Sequence, residues 1–387
     1  MNYKKLVPPG SFIGQYIQSM SALETPTGYD FWCAVWAIGV ASGRRVFVDR
    51  PRSPVRLNWF IVLAADSGST RKTTSVNFAA RITGRVGVNT ATTEEDIKHI
   101  RNLEVTDECA IAVGELSRVI GRSAYLKNMP DLLMDMYDCN EEDAVYGSLL
   151  SASTPGRLLT LVNPVVVESG FASRILFIVA DRPKRAVSWP SGDEDKEVEK
   201  LAQLLVNCVN AEASNKLQIT ANALKAYDAW YKRRMKHRDT FRASFEARED
   251  DHVLRLAACL AINDTTWEIQ SRHIKAAYHA IAEIKQSMHE LFVGDERVSP
   301  RLAAGVEKVR KKMLEGGADG VHHRTLYLLV RNRLSNSEFK TLIQIMHEAG
   351  LIQVFESVQG RTRVYRATGK LLDFGSTASI ISRLQGD

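Results

Sequence analysis

The chain predicts an α/β fold, a largely parallel sheet with helices on both faces, preceded by N-terminal helices and followed by an all-helical region and a C-terminal winged helix. Three observations predict it. An apolar run at residues 59–64 passes through a small polar loop into Lys72-Thr73 and a helical pattern that stops at Gly84. Further strand-length apolar runs recur at 110–113, 148–152 and 175–180 between helical stretches, the alternation of a sheet covered on both faces. Beyond residue 195 the pattern turns helical, and after 300 it ends in short helices and two alternating runs around Gln359-Gly360.

Taken in order, residues 12–43 read as helical, with Phe12, Tyr16 and Ile17 and then 31–40 supplying apolar faces. A short strand at 45–48 and a Pro-bounded loop at 51–54 follow. The prolines and acidic cluster of 183–195 signal a linker, after which Leu201, Leu204, Leu205 and Cys208 and later Val253, Leu254, Leu256 and Leu260 keep helical spacing. A helix through Val309 ends at Gly316-Gly317; helices at 324–330 and 336–349, the latter capped by Ser335, precede strands at 352–356 and 362–367. The expected segments are therefore 1–55 (N-terminal helices), 56–183 (core), 184–300 (helical lid), 301–370 (winged helix) and 371–387 (tail).

The 387-residue length suits two to three domains, and 45% hydrophobic with 25% charged residues is ordinary globular composition. The longest near-continuous apolar run, 31–41, is too short to cross a bilayer, and the Lys-rich start runs into Pro8-Pro9 rather than an apolar segment. A cytoplasmic protein is expected. Cys33, Cys109, Cys139, Cys208 and Cys259 form no CxxC pair, so buried thiols and no structural metal are expected, and His322-His323 reads as a solvated turn. Residues 301–387 carry 14 Lys+Arg against 8 Asp+Glu, a net +6 equal to that of the whole chain, so the basic excess lies where a phosphate backbone would bind.

Strand, tight polar loop, Lys-Thr and helix is the order of a P-loop. Its loop N–H groups cradle phosphates, the Lys reaches the β- and γ-oxygens, and the next hydroxyl holds Mg²⁺. Here Ser67, Gly68, Ser69, Thr70 and Arg71 form the loop, Lys72 and Thr73 take the two side-chain roles, and Thr74 continues the helix. The pattern Gly-x4-Gly-Lys-Ser/Thr would put glycines at Asp66 and Arg71, so the match departs at both; an ordinary βα turn is the plain alternative.

An ATPase of this type needs a carboxylate at the end of a neighbouring strand to act on Mg²⁺ through water and to activate the attacking water. Residues 110–115, Ala-Ile-Ala-Val-Gly-Glu, offer Glu115, with Gly114 where an Asp is usual. Ser151 or Ser153 would stand at the tip of the 148–152 strand to position that water. Arg174, just before the strand at 175, is a candidate for reaching a neighbouring subunit's nucleotide; a helix-capping Arg is the alternative.

The order of 63–74, 110–115, 132–139, 151–155, 169–178 and 251–257 resembles the AAA+ ATPase module of primase-helicase proteins from phages and mobile elements, related to MCM-type helicases. The P-loop of that family commonly ends Arg-Lys-Ser/Thr, which accounts for Arg71 but not Asp66, and the Ser-Arg-Ile-Leu-Phe-Ile run at 173–178 is similar to its arginine-finger element. The resemblance covers roughly residues 12–290. It implies an AAA+ core, ATP and Mg²⁺ at subunit interfaces of a homo-oligomer, hexameric in such families, translocation on single-stranded or forked DNA, and a separate primase or polymerase as partner. It also makes Arg255 a candidate lid arginine, with a helix-surface Arg as the alternative. About a dozen residues from Cys139 to Ser151, eight of them between Cys139 and Ser148, are short for the pore hairpin of such helicases, so that element is reduced or a segment is missing. About fifty residues before the core leave no room for a primase domain. In the winged helix, 336–349 with Lys340 would enter a major groove while Arg361, Arg363 and Arg366 contact phosphate. Two rivals remain: an origin-binding or helicase-loading ATPase switch, and a non-catalytic assembly protein with a degenerate P-loop.

Overall fold

The computed structural model describes residues 2–66, 68, 70–104, 107–121, 128–139, 145–161, 170–180, 186–189, 192–211, 215–235, 247–292, 300–317, 319–331, 336–348, 350–356 and 363–368. They belong to two compact units, Met1–Met288 and His289–Asp387.

In the first unit, the Ser11 hydroxyl accepts the Gly14 N–H and caps α1 (Phe12–Ser19). The helical stretch 12–43 consists of two helices: α1 runs into a short turn at Met20–Ala22, and α2 (Thr27–Ser42) starts after Pro26, whose missing N–H is no loss at a helix start. This helix is apolar all round and buried on nearly every face, as a helix under a sheet must be. At Gly39 a Cβ would lie 2.2 Å from the Leu57 carbonyl oxygen, so glycine is what lets α2 press against the chain entering the sheet. After β1 (Phe47–Val48) and β2 (Val55–Arg56) comes β3 (Phe60–Ala64), five fully buried residues followed by α3 (Lys72–Arg85). Then follow β4 (Thr90–Ala91), α4 (Glu94–His99), β5 (Glu108–Val113), α5 (Met129–Asp138), β6 (Tyr146–Ser153), α6 (Pro155–Leu161) and β7 (Ile175–Val179).

These strands make one parallel sheet in the order β4-β5-β6-β3-β7. Buried on both faces, it reads in sequence as unbroken apolar runs rather than alternation. The two covering layers follow from the period-2 pleat of β6: the Tyr146 hydroxyl donates to the Gly39 carbonyl on α2, while a Cβ at Gly147 would meet Met136 of α5. The α2 and α5 helices therefore cover opposite faces, and α3 packs beside α2, where Phe78 meets Tyr16 of α1 edge-on at 5.4 Å. Trp59 stacks between Trp32 of α2 and His252, a contact pair contributing about 1 kcal/mol beyond burial.

The region after the linker differs from its all-helical expectation. Between α7 (Glu194–Val209), α8 (Ala221–Met235), α9 (Glu249–Asn263) and α10 (Ser271–Phe292) lie two strands, β8 (Lys216–Ile219) and β9 (Glu268–Ile269). They extend a small sheet, β2-β1-β8-β9, in which Phe47 and Val48 of β1 pair with Lys216 and Leu217. The reason is local: Lys-Leu-Gln-Ile alternates exposed and buried, a period-2 signal four residues long that a helical window averages away.

The second unit has its own core of Val309, Met313, Leu326, Val330, Phe339, Leu342, Met346 and Tyr365. Its elements are α11 (Pro300–Glu315), β10 (Val321–His322), α12 (His323–Val330), α13 (Asn336–Glu348), β11 (Ile352–Glu356) and β12 (Arg363–Ala367), the strands forming an antiparallel sheet in the order β10-β12-β11. The pair His322-His323 is not a solvated turn: His322 pairs with Val364, and His323 opens α12 half-buried, its Nδ1 2.7 Å from the Tyr365 hydroxyl. Ser335, the expected cap of α13, lies outside the described residues. Among the described residues no helix is long and apolar enough to cross a membrane.

Candidate active site

The loop between β3 and α3 is shaped by two left-handed residues. Gly68 sits at φ 77°, which glycine adopts freely; Arg71, at φ 51° and ψ 37°, stands just before α3. A non-glycine residue there costs about 1–2 kcal/mol. Arg71 is tied down in compensation, donating from Nε and Nη2 to Glu24 at 3.1 and 3.0 Å. Glu24 also accepts the Val187 N–H at 3.1 Å, and this bond followed by Arg71 holds its carboxyl below the ordinary value. Ser67 and Ser69 lie outside the described residues.

The Lys72 ammonium folds back over the loop, donating to the carbonyls of Ala65 at 2.7 Å and Asp66 at 2.9 Å. Burial pulls its pKa below that of an ordinary lysine, opposed by the charges of Glu115 and Asp66. Thr73 and Thr74 are exposed on the first turn of α3, where free backbone N–H groups and the helix dipole favour an anion. Thr70 is buried, and its hydroxyl has no hydrogen-bond partner among the described residues.

At the same edge of the sheet β5 ends in Gly114 and Glu115. The Glu115 carboxylate accepts from the Ser153 hydroxyl at 2.8 Å and pairs with Arg157 at 2.8 Å. Strand order produces this contact, since β6 lies between β5 and β3 with Ser153 level with Ala64. Ser151 is also buried, but its hydroxyl donates to the Val113 carbonyl at 3.0 Å and is spent within the sheet, so Ser153 is the serine at the site. A Cβ at Gly114 would stand 2.9 Å from the Thr73 methyl and 3.3 Å from its hydroxyl oxygen. The position where an Asp is usual is thus in place beside Thr73, with its space taken.

Arg174 and Arg255 are elsewhere. Both stand at the N-terminal ends of the parallel strands, across the sheet from the loop. Arg174 precedes β7; its side chain is 11% exposed, donates to the Gly170 carbonyl at 2.8 Å and pairs with Asp138, which Arg248 also reaches at 3.0 Å. Arg255, which the resemblance makes a candidate lid arginine, stands on α9 away from the β3–α3 loop of its own chain. Buried in the apolar α9, it lies 4.0 Å from the centre of the Tyr137 ring and donates to the Asn58 carbonyl, before β3. In the second unit, the pleat of β12 puts Arg363 and Arg366 on opposite faces of the hairpin, Arg366 lying 4.4 Å over the Phe355 ring. Lys340 is exposed on α13, and Arg361 lies outside the described residues.

Two site residues were absent from the sequence reading. Arg157 lies in the first turn of α6, just after β6, and only the position of Glu115 across the sheet gives it meaning. Glu24 carries no sequence signal, since 47 residues separate it from Arg71.

The residues fit a magnesium nucleotide. Lys72, the start of α3 and the Thr70 hydroxyl, which has no partner among the described residues, suit phosphate, and the oxygens of Thr73 and Glu115 suit a hard cation. The layout is that of an α/β P-loop core: a parallel five-stranded sheet flanked by helices, with a Lys-Thr loop after an interior strand and a Ser-supported Glu two strands away.

No protein-family model matches the chain, and no curated protein matches it. Among solved structures it is similar to a full-length MCM homologue from Methanopyrus kandleri, at 12% sequence identity and a TM-score of 0.43, over 74% of this chain. The chain covers 60% of that protein's length.

Proposed function

We propose that this chain is an ATPase of the P-loop class that hydrolyses ATP with Mg²⁺. The observation that carries the reading is the convergence at one sheet edge of Lys72 and Thr73 with a Glu115 held by Ser153 and Arg157. Thr73 and Glu115 would hold Mg²⁺, which when bound would offset the negative charge developing on the phosphates. Lys72 exchanges its two loop carbonyls for phosphate oxygens, and Thr73 supplies the hydroxyl toward the metal. Glu115, oriented by Ser153, accepts a proton from the attacking water. Arg157 leaves Glu115 as a phosphate draws it away, freeing the carboxylate.

The finer reading is a ring-forming, MCM-like AAA+ helicase acting in replication of a phage or mobile element. Its support is the order of motifs along the chain and the basic excess of the last segment. In this reading the second unit is a winged helix that contacts DNA, residues 184–300 are the lid, and Arg174 serves a neighbouring subunit's site. A second reading, an ATPase switch that does not unwind processively, is favoured by Gly114 and by the pairing of Arg174 with Asp138.

The test is ATP turnover with and without single-stranded DNA, followed by strand displacement on a fork. DNA-stimulated turnover lost in Lys72→Ala, with fork opening, supports the helicase; turnover without opening supports the switch. No ATP binding by the wild-type chain would refute both. Mixing Arg174→Ala with Lys72→Ala subunits should restore part of the turnover if Arg174 acts across an interface.

A further inference from the structure

Trp189 is 87% exposed, while Trp32, Trp36 and Trp59 are fully buried and Trp267 is 8% exposed. Apolar side chains scattered singly over a surface are ordinary. The place of this one is not, because a clamp holds its segment against the β3–α3 loop. The Val187 N–H donates to Glu24 Oε1 at 3.1 Å. The other oxygen, Oε2, accepts Nε and Nη2 of Arg71, the residue just before Lys72, at 3.1 and 3.0 Å. One carboxylate thereby ties the stretch 186–189 to the phosphate loop. Trp189 follows Val187 by two residues, so its backbone lies no farther than about 7 Å from the clamped position.

Strand order gives the direction in which a nucleotide would lie. Along the C-terminal edge of the parallel sheet the strands run β5, β6, β3, β7, with Val179 of β7 level with Ala64 of β3. On one side of β3, the Ser153 carbonyl accepts the Ala65 N–H and the Ser153 hydroxyl holds Glu115. On the other side the Ala180 N–H donates to the Ala64 carbonyl at 3.0 Å as the chain leaves β7. Hydrolysis requires the terminal phosphate to face Glu115, where the attacking water is activated. The nucleoside end then points the opposite way, toward β7 and the stretch that Glu24 fastens to Arg71.

We propose that Trp189 stacks on the base of the nucleotide whose phosphates lie at Lys72, so that the site selects nucleoside phosphates over bare phosphate chains. This rests on the reading of the β3–α3 loop as a phosphate site and adds a specificity residue to it. A flat indole offers a base its π-face, and because every base has such a face, stacking accepts more than one of them. The contact is made equally before and during reaction, so it acts on affinity and not on the chemical step. A second copy of this chain is the other occupant able to cover the ring, and the test separates the two.

The experiment titrates the full chain calorimetrically with ADP and with inorganic pyrophosphate, which carries phosphates but no base. Trp189→Ala is expected to weaken ADP binding about tenfold, within the range for one base on one aromatic ring, with recovery in Trp189→Phe. Pyrophosphate binding should stay unchanged in Trp189→Ala, whereas Lys72→Ala should weaken both ligands. In turnover, Trp189→Ala should raise KM for ATP about tenfold and leave kcat within about twofold, the pattern of lost uniform binding. Iodide should quench part of the wild-type tryptophan emission, ADP should protect that part, and Trp189→Phe should lack it. The exposure of the ring predicts an unchanged thermal melt for both Trp189 variants.

Trp189→Ala binding ADP as tightly as wild type, while Lys72→Ala does not, overturns the stacking role alone. Equal weakening of ADP and pyrophosphate in Trp189→Ala overturns it too, as does an iodide-quenched part that ADP leaves unprotected. Altered sedimentation of nucleotide-free Trp189→Ala with ADP affinity intact assigns the ring to a contact between copies and overturns the base assignment. ADP binding unaffected by Lys72→Ala is a different result: it overturns the phosphate-site reading, and the stacking role falls with it.

Discussion

At Gly114 the candidate site leaves no room for a side chain, because Thr73 stands against it. Because a Cβ at 114 would press on the Thr73 methyl at 2.9 Å, simply restoring the usual acidic residue should not raise the proposed ATP turnover. Gly114→Asp is expected to lower nucleotide affinity by displacing Thr73. Adding Thr73→Ser removes the methyl, keeps the hydroxyl and should bring turnover above that of the single variant. Turnover by Gly114→Asp alone that exceeds wild type would show that Thr73 yields freely and that the contact does not limit the site. At this scale Arg71 tells a related story: the pattern asks for glycine, the backbone adopts glycine's conformation, and a salt bridge to Glu24 offsets the strain. The candidacy of Lys72, Thr73 and Glu115 was readable from residue type and spacing. Ser153 could not be separated from Ser151 that way, since both alternate to the same face and only hydrogen bonding decides between them.

Among the elements, the junction of α5, β7 and α9 is organised by Asp138, whose carboxylate holds both Arg174 and Arg248. Removing it strands Arg174, which is only 11% exposed, and loss of one partner of a buried pair costs about 3 kcal/mol. Asp138→Ala should therefore show a lower thermal midpoint, whereas Arg157→Ala, which breaks an exposed pair, should cost no more than about 1 kcal/mol. Equal melts for these two variants would contradict the anchoring role of Asp138. The long apolar strands of the main sheet were visible in the sequence because burial on both faces writes them as continuous runs. Two-residue strands such as β4 and β9 were not, for their existence depends on a partner strand and not on any pattern of their own.

For the whole molecule, the division at Met288 and His289 leaves each unit with its own apolar core. Calorimetry is expected to show two unfolding transitions, with Mg-ATP raising only the one belonging to the first unit; at 100 times the dissociation constant the gain is about 2.7 kcal/mol. One coincident transition, or a shift of both, would mean the units are coupled. The basic excess of the last segment was a matter of counting. Its distribution was not: Arg363 lines a cavity with Lys340, and Arg366 turns away onto Phe355.

By itself, then, the amino-acid order determined the α/β class, the interior strand leading to Lys72, the acidic partner at Glu115 and the basic character of the last segment, because these depend on local pattern and composition. Tertiary structure alone decided that Ser153 and Arg157 hold Glu115, that Glu24 secures Arg71, that Arg255 is buried away from the loop and that two histidines line a cavity with Lys340. Those facts rest on contacts between residues far apart in the chain, and which distant side chains meet is set by strand order and helix packing, not by spacing.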